Sequence, residues 1–235
     1  MCQIHTISKT SFDQHTEQWL QHLDNGTKFN NDGHAALFID EDTGNHALFR
    51  SMAWNDIRDT LTLKEDWTRV FIHQRATTRG GATLENTHFW QSDELFYCHN
   101  GVLRGDLQSQ FRVDSLAIGH MLEVEGVWRT LEYLQSQDYA NVFIIDMRDM
   151  QWYMSRSETN SLYSDGLDNY STNMLAGICD QPVTRYSVLR HQLEEPQVET
   201  WLEKYNRRQI AAIIEDDDEA YEAAVKASMG GPEDG

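Results

Sequence analysis

Short runs of apolar residues, either alternating with polar ones or uninterrupted, predict several β-strands. The first run, Gln3–Ser8, alternates, as expected for a strand with one buried face, and later runs rich in β-branched and aromatic residues are typical of buried strands. The acidic, glycine-containing interval 40–45 predicts a hairpin. The predicted strands cover residues 3–8, 35–39, 46–49, 68–73, 95–99, 142–146, 152–155 and 187–190.

Two segments have the spacing of helices. In residues 12–23 apolar side chains recur at roughly helical intervals, and residues 54–63 form a second such segment. The interval 24–33, rich in Asn and Gly, predicts a loop. Helices and strands are therefore mixed along the chain, without an internal repeat, which indicates an α/β or α+β fold.

The C-terminal segment differs from the rest in pattern and charge. From Pro196 onward, apolar residues recur as in an amphipathic helix with proline in its first turn. Residues 215–235 contain eight acidic residues and one lysine, a net charge of −7. We therefore divide the chain into one domain, residues 1–195, and a C-terminal helix with an acidic, partly disordered tail, residues 196–235. Such a tail is either solvated or a docking element for a partner or for self-assembly.

Length and charge narrow the function. A chain of 235 residues can bury one full core as a single large domain. With 19 basic and 38 acidic residues, its formal net charge of −19 repels nucleic acid and anionic membrane surfaces. No apolar run approaches the roughly 20 residues needed to cross a bilayer, and no secretory segment opens the chain. We expect a cytoplasmic protein that binds neither nucleic acid nor membranes.

The spacing of cysteine and histidine favours free thiols and argues against a metal site. Three cysteines are an odd number without metal-like spacing, which indicates a reducing compartment, and Cys98 and Cys179 are predicted to be buried, inert thiols. Histidines 5, 73, 88, 99 and 120 occur singly, which favours hydrogen-bonded core residues over metal ligands. We expect no metal and no other cofactor.

Cys2 is the first candidate for chemistry. Cysteine is small enough for an aminopeptidase to remove Met1 before it, which would leave a free α-amine beside the thiol. The amine titrates near about 8 and a free thiol near about 8.5, so the amine can take the thiol proton, and the thiolate is the attacking form. The alternative is that a cysteine at this position is accidental, and a retained Met1 would block the amine.

Three segments further along supply polar groups that suit substrate binding. Arg75 follows a predicted buried strand, where its planar fork suits a carboxylate or a structural ion pair. The pair Asn100 and Gly101 is either a hairpin turn or an oxyanion hole formed by the side-chain amide and the glycine N–H. Asp114 precedes an apolar helical run, so it either caps a helix or holds an ammonium group.

These residues occur in the order and rough spacing of a known family, the glutaminase domains of class II glutamine amidotransferases, which the chain resembles. The resemblance covers roughly residues 2–190 and is clearest over 68–122. It implies the α+β fold of the N-terminal nucleophile hydrolases, a four-layer αββα sandwich of two antiparallel sheets with helices outside. The matching segments are Cys2, HQRATTRG (73–80), NTH (86–88), HNGV (99–102) and VDS (113–115).

The resemblance also implies a role for each matching residue. Cys2 would be the nucleophile and its α-amine the base, while Asn100 and Gly101 would stabilise the oxyanion. Glutamine would be the substrate, hydrolysed through a thioester on the cysteine. The implied substrate-binding residues are Arg75 for the α-carboxylate, Asp114 for the α-ammonium group, Thr78 and His88.

The chain departs from the family pattern at three positions. Family members that make phosphosugars carry glycine after the nucleophile and tryptophan after the arginine, where this chain has Gln3 and Ala76. Phe89 follows the Asn-x-His segment, where proline is usual. The chain therefore resembles the stand-alone members of the family more closely.

The resemblance leaves the fate of the ammonia open. A synthase or assembly partner protein would receive it, or the protein would simply hydrolyse glutamine or another γ-glutamyl amide. The remaining alternative is a non-catalytic structural or assembly protein that retains the fold. A homo-oligomer is compatible with each of these interpretations.

Overall fold

The computed structural model of the chain describes residues 2–78, 81–103, 111, 113–135, 140–185, 187–191 and 196–200. Among these residues, no helix is long and apolar enough to span a membrane. The α-helices are α1 Lys9–Gln14, α2 Thr16–Thr27, α3 Trp54–Leu63 and α4 Ser115–Gln135, with a 3-10 turn at Leu84–Asn86. The strands are β1 Gln3–Ser8, β2 His34–Ile39, β3 His46–Ser51, β4 Arg69–Gln74, β5 Trp90–Ser92, β6 Leu95–Gly101, β7 Ala140–Asp146, β8 Gln151–Ser155, β9 Tyr163–Ser164, β10 Tyr170–Ser171, β11 Gln181–Pro182, β12 Ser187–His191 and β13 Pro196–Thr200.

The strands form two antiparallel sheets. In sheet 1 the order is β11-β9-β10-β1-β4-β2-β3, and in sheet 2 it is β13-β12-β8-β7-β6-β5. The first strand of the chain lies inside sheet 1, where it pairs with β10 on one side and with β4 on the other. Strands flank β1 on both sides at His5 and Thr6, while Gln3 at its start pairs with β4.

Three apolar clusters separate four layers. The helices α1, α2 and α3 pack on the outer face of sheet 1, and α4 packs on the outer face of sheet 2. The two inner faces meet over a cluster that includes Phe71 and Phe143. Side chains alternate along each strand, so that in β1 Ile4 points towards sheet 2 and Ile7 towards the helices. The predicted αββα sandwich is confirmed.

Most of the predicted elements are confirmed. The strand Gln3–Ser8 and the helix Trp54–Leu63 have the predicted bounds, and the other predicted strands begin and end within two residues of the observed ones. The helix predicted over residues 12–23 is instead two helices that meet at His15. The first of them begins earlier than predicted because the Ser8 hydroxyl accepts a hydrogen bond from the Ser11 N–H and caps its N-terminus.

Gly26 lies in a helix rather than in the predicted loop. The helix α2 continues to Thr27, so the loop begins later than residue 24. A Cβ at position 26 would lie 2.1 Å from Gln74 Oε1 and 2.3 Å from Gln3 Oε1, both on sheet 1. Only glycine lets the helix approach the sheet this closely, so the residue serves close packing rather than a turn.

The prediction of a helix beginning at Pro196 is wrong for the first five residues. Pro196–Thr200 forms β13, which pairs with β12 from His191 opposite Pro196 to Ser187 opposite Thr200. Proline lacks an N–H to donate, and β13 is the outermost strand of sheet 2, where this loss is tolerated. Residues 201–235, with the remaining helical pattern and the acidic tail, lie outside the described residues, and the division of the chain at residue 195 stays a prediction.

Candidate active site

All of the predicted site residues except Asn100 line one cavity at one end of the layer between the two sheets. Cys2 immediately precedes β1, Arg75 immediately follows β4, and Gly101 is the last residue of β6. A cavity of about 300 Å³, including the part open to solvent, lies between them, which is the lower end of the size range of small-molecule sites. Its lining residues are Cys2, Arg75, Ala76, Thr78, Asn86, His88, His99, Gly101, Val113, Asp114 and Ser115.

The Cys2 side chain is half-buried in this cavity beside the backbone of Ala76. Its Sγ lies 3.4 Å from the Ala76 N–H nitrogen, which donates to it, and 3.5 Å from the Ala76 carbonyl oxygen. Burial raises the pKa of the Cys2 thiol, while the hydrogen bond from Ala76 and the charge of Arg75 act in the opposite direction. The thiol is therefore protonated near neutral pH unless a nearby base takes its proton.

The pairing of β1 with β4 positions Arg75. Gln3 pairs with Gln74, so the residue before β1 and the residue after β4 are neighbours across the same ladder. The backbone of Arg75 is held by two further hydrogen bonds, from its N–H to Gly33 O at 2.9 Å and from the Asp32 N–H to its carbonyl at 3.0 Å. The Arg75 side chain is buried beside the cavity. Strand pairing thus sets a cation next to the thiol.

The loop before β2 was predicted only as a loop, yet it supports the arginine segment. Asp32 Oδ2 accepts a hydrogen bond of 2.7 Å from the N–H of Thr77, two residues beyond Arg75. Gly33 has φ of 137° and a Cβ there would lie 2.2 Å from Thr87 Oγ1, so glycine is required for this close approach. The sequence signal was the Asp-Gly pair, which marks a turn but does not reveal what the turn holds.

Asn100 and Gly101 form the end of a strand rather than a turn. They pair with Asn141 and Ala140 of β7, so the hairpin-turn interpretation is wrong. Gly101 has φ of 130°, a conformation that residues with a side chain rarely adopt, which explains glycine at this strand end. The Asn100 side chain is buried, and its Oδ1 has no hydrogen-bond partner in the described part of the chain.

A buried amide network behind Asn100 was missed from the sequence. Asn160 Nδ2 donates to the Asn100 carbonyl at 3.0 Å, and Asn141 Nδ2 donates to the Ser161 carbonyl at 2.9 Å. Asn141 Oδ1 in turn accepts from the Ser157 N–H at 2.9 Å. The available signal was an asparagine directly before the apolar run of β7, because a buried polar side chain needs hydrogen-bond partners.

Asp114 lies at the cavity directly before α4. Its Oδ1 accepts from the Ser115 N–H at 3.1 Å, and its Oδ2 accepts from the Leu103 N–H at 3.2 Å and lies 3.4 Å from His99 Nε2. Burial would raise the pKa of Asp114, but the hydrogen bonds from His99 and the backbone outweigh it and lower the pKa to about 2. Asp114 therefore presents a negative charge to the cavity, and it also occupies the position before the helix that a capping residue takes.

The two other predicted substrate-binding residues are placed differently from each other. Thr78 is exposed at the cavity, whereas His88 is buried and both of its ring nitrogens have protein partners. The peptide bond between His88 and Phe89 is cis, at the position where the family usually has proline. Thr78 is therefore accessible to a ligand in the cavity, while His88 contributes mainly its ring surface to the cavity wall.

The remaining predicted histidines and cysteines are mostly buried. His5, His73 and His99 lie in the interior, but neither ring nitrogen of His5 has a hydrogen-bond partner among the described residues, and His120 is exposed on α4. The prediction of hydrogen-bonded core histidines is therefore wrong for His5 and His120. Among the described residues, no group of three His, Cys, Asp or Glu side chains is arranged to hold a metal ion. The other two cysteines are free and buried, as predicted, and burial raises the pKa of both thiols.

Comparison with solved structures finds class II glutamine amidotransferases with this fold. The structure of an allosteric regulatory enzyme of purine biosynthesis matches at 16% identity and a TM-score of 0.63, over 85% of this chain and 49% of that chain. Glutamine phosphoribosylpyrophosphate amidotransferase from B. subtilis, complexed with ADP and GMP, matches at 14% identity and a TM-score of 0.61, over 85% of this chain and 49% of that chain. A glutamine aminotransferase class-II domain protein from Silicibacter pomeroyi matches at 12% identity and a TM-score of 0.50, over 86% and 99% of the two chains.

At these identities the likeness establishes the fold, and the fold expected from the family resemblance is confirmed. The chain spans about half the length of the first two structures. No protein-family model and no curated protein matches the sequence. The function must therefore be argued from the residues in the cavity.

Proposed function

We propose that this protein hydrolyses the side-chain amide of glutamine through a thioester on Cys2, as class II glutamine amidotransferases do. The observation that carries the proposal is that Cys2, Arg75, Gly101 and Asp114 line the same cavity, in a fold shared with those enzymes. A thiol, a cation, an anion and a backbone N–H are the groups that binding and cleaving an amino-acid amide require.

The two opposite charges that line the cavity, Arg75 and Asp114, suit the head group of an amino acid. The Arg75 guanidinium is a planar donor that pairs with a carboxylate, and the Asp114 carboxylate accepts hydrogen bonds from an ammonium group. Glutamine held between them would place its side-chain amide towards Cys2. Holding the carboxylate and the ammonium group of the substrate in this way converts a bimolecular attack into an oriented one.

The nucleophile requires a base because burial raises the pKa of the Cys2 thiol. Once Met1 is removed, the α-amine of Cys2 takes the thiol proton, and the thiolate attacks the amide carbon. The carbon–nitrogen bond of the tetrahedral intermediate then breaks, and the nitrogen leaves as ammonia with the proton from the α-ammonium group of Cys2. Water attacks the γ-glutamyl thioester, releases glutamate and restores the thiol.

The oxyanion of the tetrahedral intermediate would be held at the end of β6. The Asn100 side-chain amide and the Gly101 N–H are the donors we assign to it, and Gly101 meets the cavity directly. The network through Asn160 fixes the backbone of Asn100. Thr78, exposed at the cavity, and the ring of His88 complete the substrate-binding residues in this proposal.

The ammonia released here has two destinations in this proposal, an acceptor site on a partner protein or the solvent. The two longer structural neighbours each have about as much chain again beyond the matched part. A nucleophile that is a free thiol operates best in a reducing compartment, so we place the activity in the cytoplasm.

Glutamate release from glutamine tests the proposal, together with the intact mass of the protein. We expect the mass to show loss of Met1, and a glutamine-analogue electrophile to label one thiol. Cys2→Ala should abolish both labelling and hydrolysis. Cys179→Ala should retain both, because it removes a buried thiol from the apolar cluster between sheet 1 and its helices.

Three results would count against the proposal. Full activity in Cys2→Ala would remove the nucleophile from the mechanism. Retention of Met1 without labelling would favour a non-catalytic structural or assembly protein. Hydrolysis of other γ-glutamyl amides but not of glutamine would reassign the substrate.

A further inference from the structure

A continuous row of buried side chains ends on Asp114, and we call it the imidazole chain. Four contacts form it: His73 Nε2 to His88 Nδ1 at 3.1 Å, His88 Nε2 to Ser115 Oγ at 2.6 Å, Ser115 Oγ to His99 Nδ1 at 3.3 Å, and His99 Nε2 to Asp114 Oδ2 at 3.4 Å. All five residues are at least nine-tenths buried. They come from β4, the segment before β5, β6 and the start of α4.

The two ends of the imidazole chain fix the direction of its hydrogen bonds. At one end His73 Nε2 lies 3.3 Å from the His99 carbonyl oxygen, which can only accept, so this nitrogen carries a hydrogen. At the other end the Asp114 carboxylate can only accept, so His99 Nε2 carries a hydrogen as well. Each end therefore has its hydrogen on Nε2, and a row of hydrogen bonds donated from His73 towards Asp114 satisfies both ends.

The interior contacts are consistent with this single direction. Burial lowers the pKa of His73 to about 3 and that of His88 well below its usual range, so each ring is neutral near pH 7 and has one N–H. The one hydrogen on His73 Nε2 is then shared between the His99 carbonyl oxygen and His88 Nδ1, and His88 donates through Nε2 to the Ser115 hydroxyl. The hydroxyl has its own hydrogen left to donate to His99 Nδ1, which leaves the hydrogen of His99 on Nε2.

The hydrogen bonds at Asp114 leave room for one more donor. A carboxylate offers about four lone-pair sites. Oδ2 receives the Leu103 N–H and His99, and Oδ1 receives the Ser115 N–H. Among the contacts of the described residues one site on Oδ1 remains, and Asp114 lines the cavity. This is the site that the ammonium group of an amino acid would take.

We propose that Ser115 and His88 are positioning residues: through the imidazole chain they hold the His99 Nε2–H against Asp114 and so present its carboxylate to the α-ammonium group of the substrate. This inference rests on the proposed function. Without the Ser115 hydroxyl, His88 Nε2 and His99 Nδ1 each lose a buried hydrogen-bond partner. His99 can then carry its hydrogen on Nδ1 instead, which would turn the Nε2 lone pair towards the carboxylate.

Nitrogen NMR of the imidazoles tests the imidazole chain without any enzyme assay. In the unmodified protein at pH 7 we expect His73 and His88 to be neutral with the hydrogen on Nε2, and His99 to carry a hydrogen on Nε2 that is directed at Asp114. In Ser115→Ala, His99 should shift its hydrogen to Nδ1 or populate both forms, while Ser155→Ala should leave the spectrum unchanged. Ser155 is a matched control because it is fully buried and its hydroxyl has no partner among the described residues. A hydrogen on Nδ1 of any of the three rings in the unmodified protein would overturn the proposal.

Kinetics with two substrates test the role of the imidazole chain in ammonium binding. The second substrate is 4-carbamoylbutanoate, which is glutamine without its amino group, used as a competitive inhibitor if its hydrolysis is too slow to follow. We expect Ser115→Ala to raise KM for glutamine about tenfold or more, with kcat changed by less than about twofold, because a charge-assisted hydrogen bond is weakened. The affinity for 4-carbamoylbutanoate should not change, and Ser115→Thr, which keeps a hydroxyl, should restore glutamine binding.

The outcomes separate the inference from the function on which it rests. Equal losses for the two substrates would mean that Ser115 acts only structurally, and no loss for either would mean that the imidazole chain is dispensable; both overturn the inference. If the unmodified protein does not hydrolyse glutamine, the proposed function fails. In that case binding of glutamine and of 4-carbamoylbutanoate to Ser115→Ala, measured by calorimetry, decides the inference by the same comparison.

Discussion

The two ends of β4 carry the same residue in opposite circumstances. Arg69 begins the strand and Arg75 follows its last residue, both side chains point into the layer between the sheets, and both are at least nine-tenths buried. Arg69 Nε donates to Glu41 Oε1 at 2.7 Å, its Nη2 is paired with the Asp168 carboxylate, and its guanidinium lies over Trp152 at 5.4 Å from the ring centre. At this end of the sandwich the cation is enclosed by its own protein partners.

At the cavity end, charge compensation is weaker. Burial lowers the pKa of Arg75, and the surrounding charges of Cys2, Asp32 and Asp114 do not reverse that shift. For Arg69 burial acts in the same direction, but the two carboxylates outweigh it and raise the pKa. A buried cation whose surroundings favour its charged form stabilises the fold, whereas one that is less fully compensated gains from a ligand carboxylate.

The largest expected effect is on stability, at the Arg69 end. Arg69→Met leaves two partly buried carboxylates without their cation, so we expect a loss of about 3 to 5 kcal/mol in the free energy of unfolding. Arg75→Met should cost less than this, because the charges around Arg75 do not outweigh the effect of its burial. Urea denaturation followed by circular dichroism measures both, with Arg129→Met on the exposed face of α4 as the control. Equal losses for Arg69 and Arg75 would remove the difference between the two ends.

The second effect is on substrate binding, at the Arg75 end. Arg75→Lys keeps the charge but loses the planar pair of donors, so we expect kcat/KM for glutamine to fall about 10- to 100-fold, chiefly through KM. Steady-state glutamate release measures it, and Arg129→Lys is the matched control. An unchanged KM would show that Arg75 does not bind the substrate carboxylate.

The smallest effect is a pH dependence near Arg69. His191 stacks flat on Trp152, with ring centres 3.7 Å apart, and burial together with the charge of Arg69 lowers the pKa of His191 to about 3. The unfolded chain takes up a proton on this ring near pH 6.5, whereas the folded protein does not, so stability falls as the pH drops from about 6.5 towards 3. His191→Phe keeps the stack and removes this contribution.

The unfolding free energy at pH 7 and pH 5 measures that contribution. We expect the loss between the two pH values to be smaller in His191→Phe than in the unmodified protein by up to about 2 kcal/mol. Replacing the exposed His120 by Phe should leave the loss unchanged. The same pH dependence in His191→Phe and the unmodified protein would show that His191 is charged in the fold.

The sequence predicts best what depends on local pattern. Strand periodicity gave β1 and β4 to within one residue, and the ordered motifs identified Cys2, Arg75 and Asp114 as residues of one site. Where local pattern and tertiary contacts indicated different structures, the contacts prevailed. Gly26 suggested a loop, but it lies in a helix that packs closely on sheet 1. Pro196 suggested the start of a helix, but it lies in an edge strand that pairs with β12.

The polar interior of the site could not be predicted in this way. The residues of the imidazole chain are far apart in the sequence and have no common spacing, so nothing local indicates that His73, His88 and His99 meet at Ser115. The sequence predicted hydrogen-bonded core histidines, which is correct for these three. Their partners and direction follow only from strand pairing and the position of α4.

The hydrogen bonds behind Asn100 also affect how the two sheets are positioned relative to each other. Asn160 binds the Asn100 carbonyl on sheet 2, while the adjacent Ser161 hydroxyl donates to the Thr172 carbonyl at 2.6 Å, and the Thr172 N–H donates to Ile4 O on β1 at 3.0 Å. Apolar contacts are non-directional and would tolerate sliding of one sheet over the other, but a shear of one residue, about 3.4 Å, would break these bonds. The side chains of Asn160 and Ser161 thus link the end of β6 to β1 and fix the position of one sheet relative to the other.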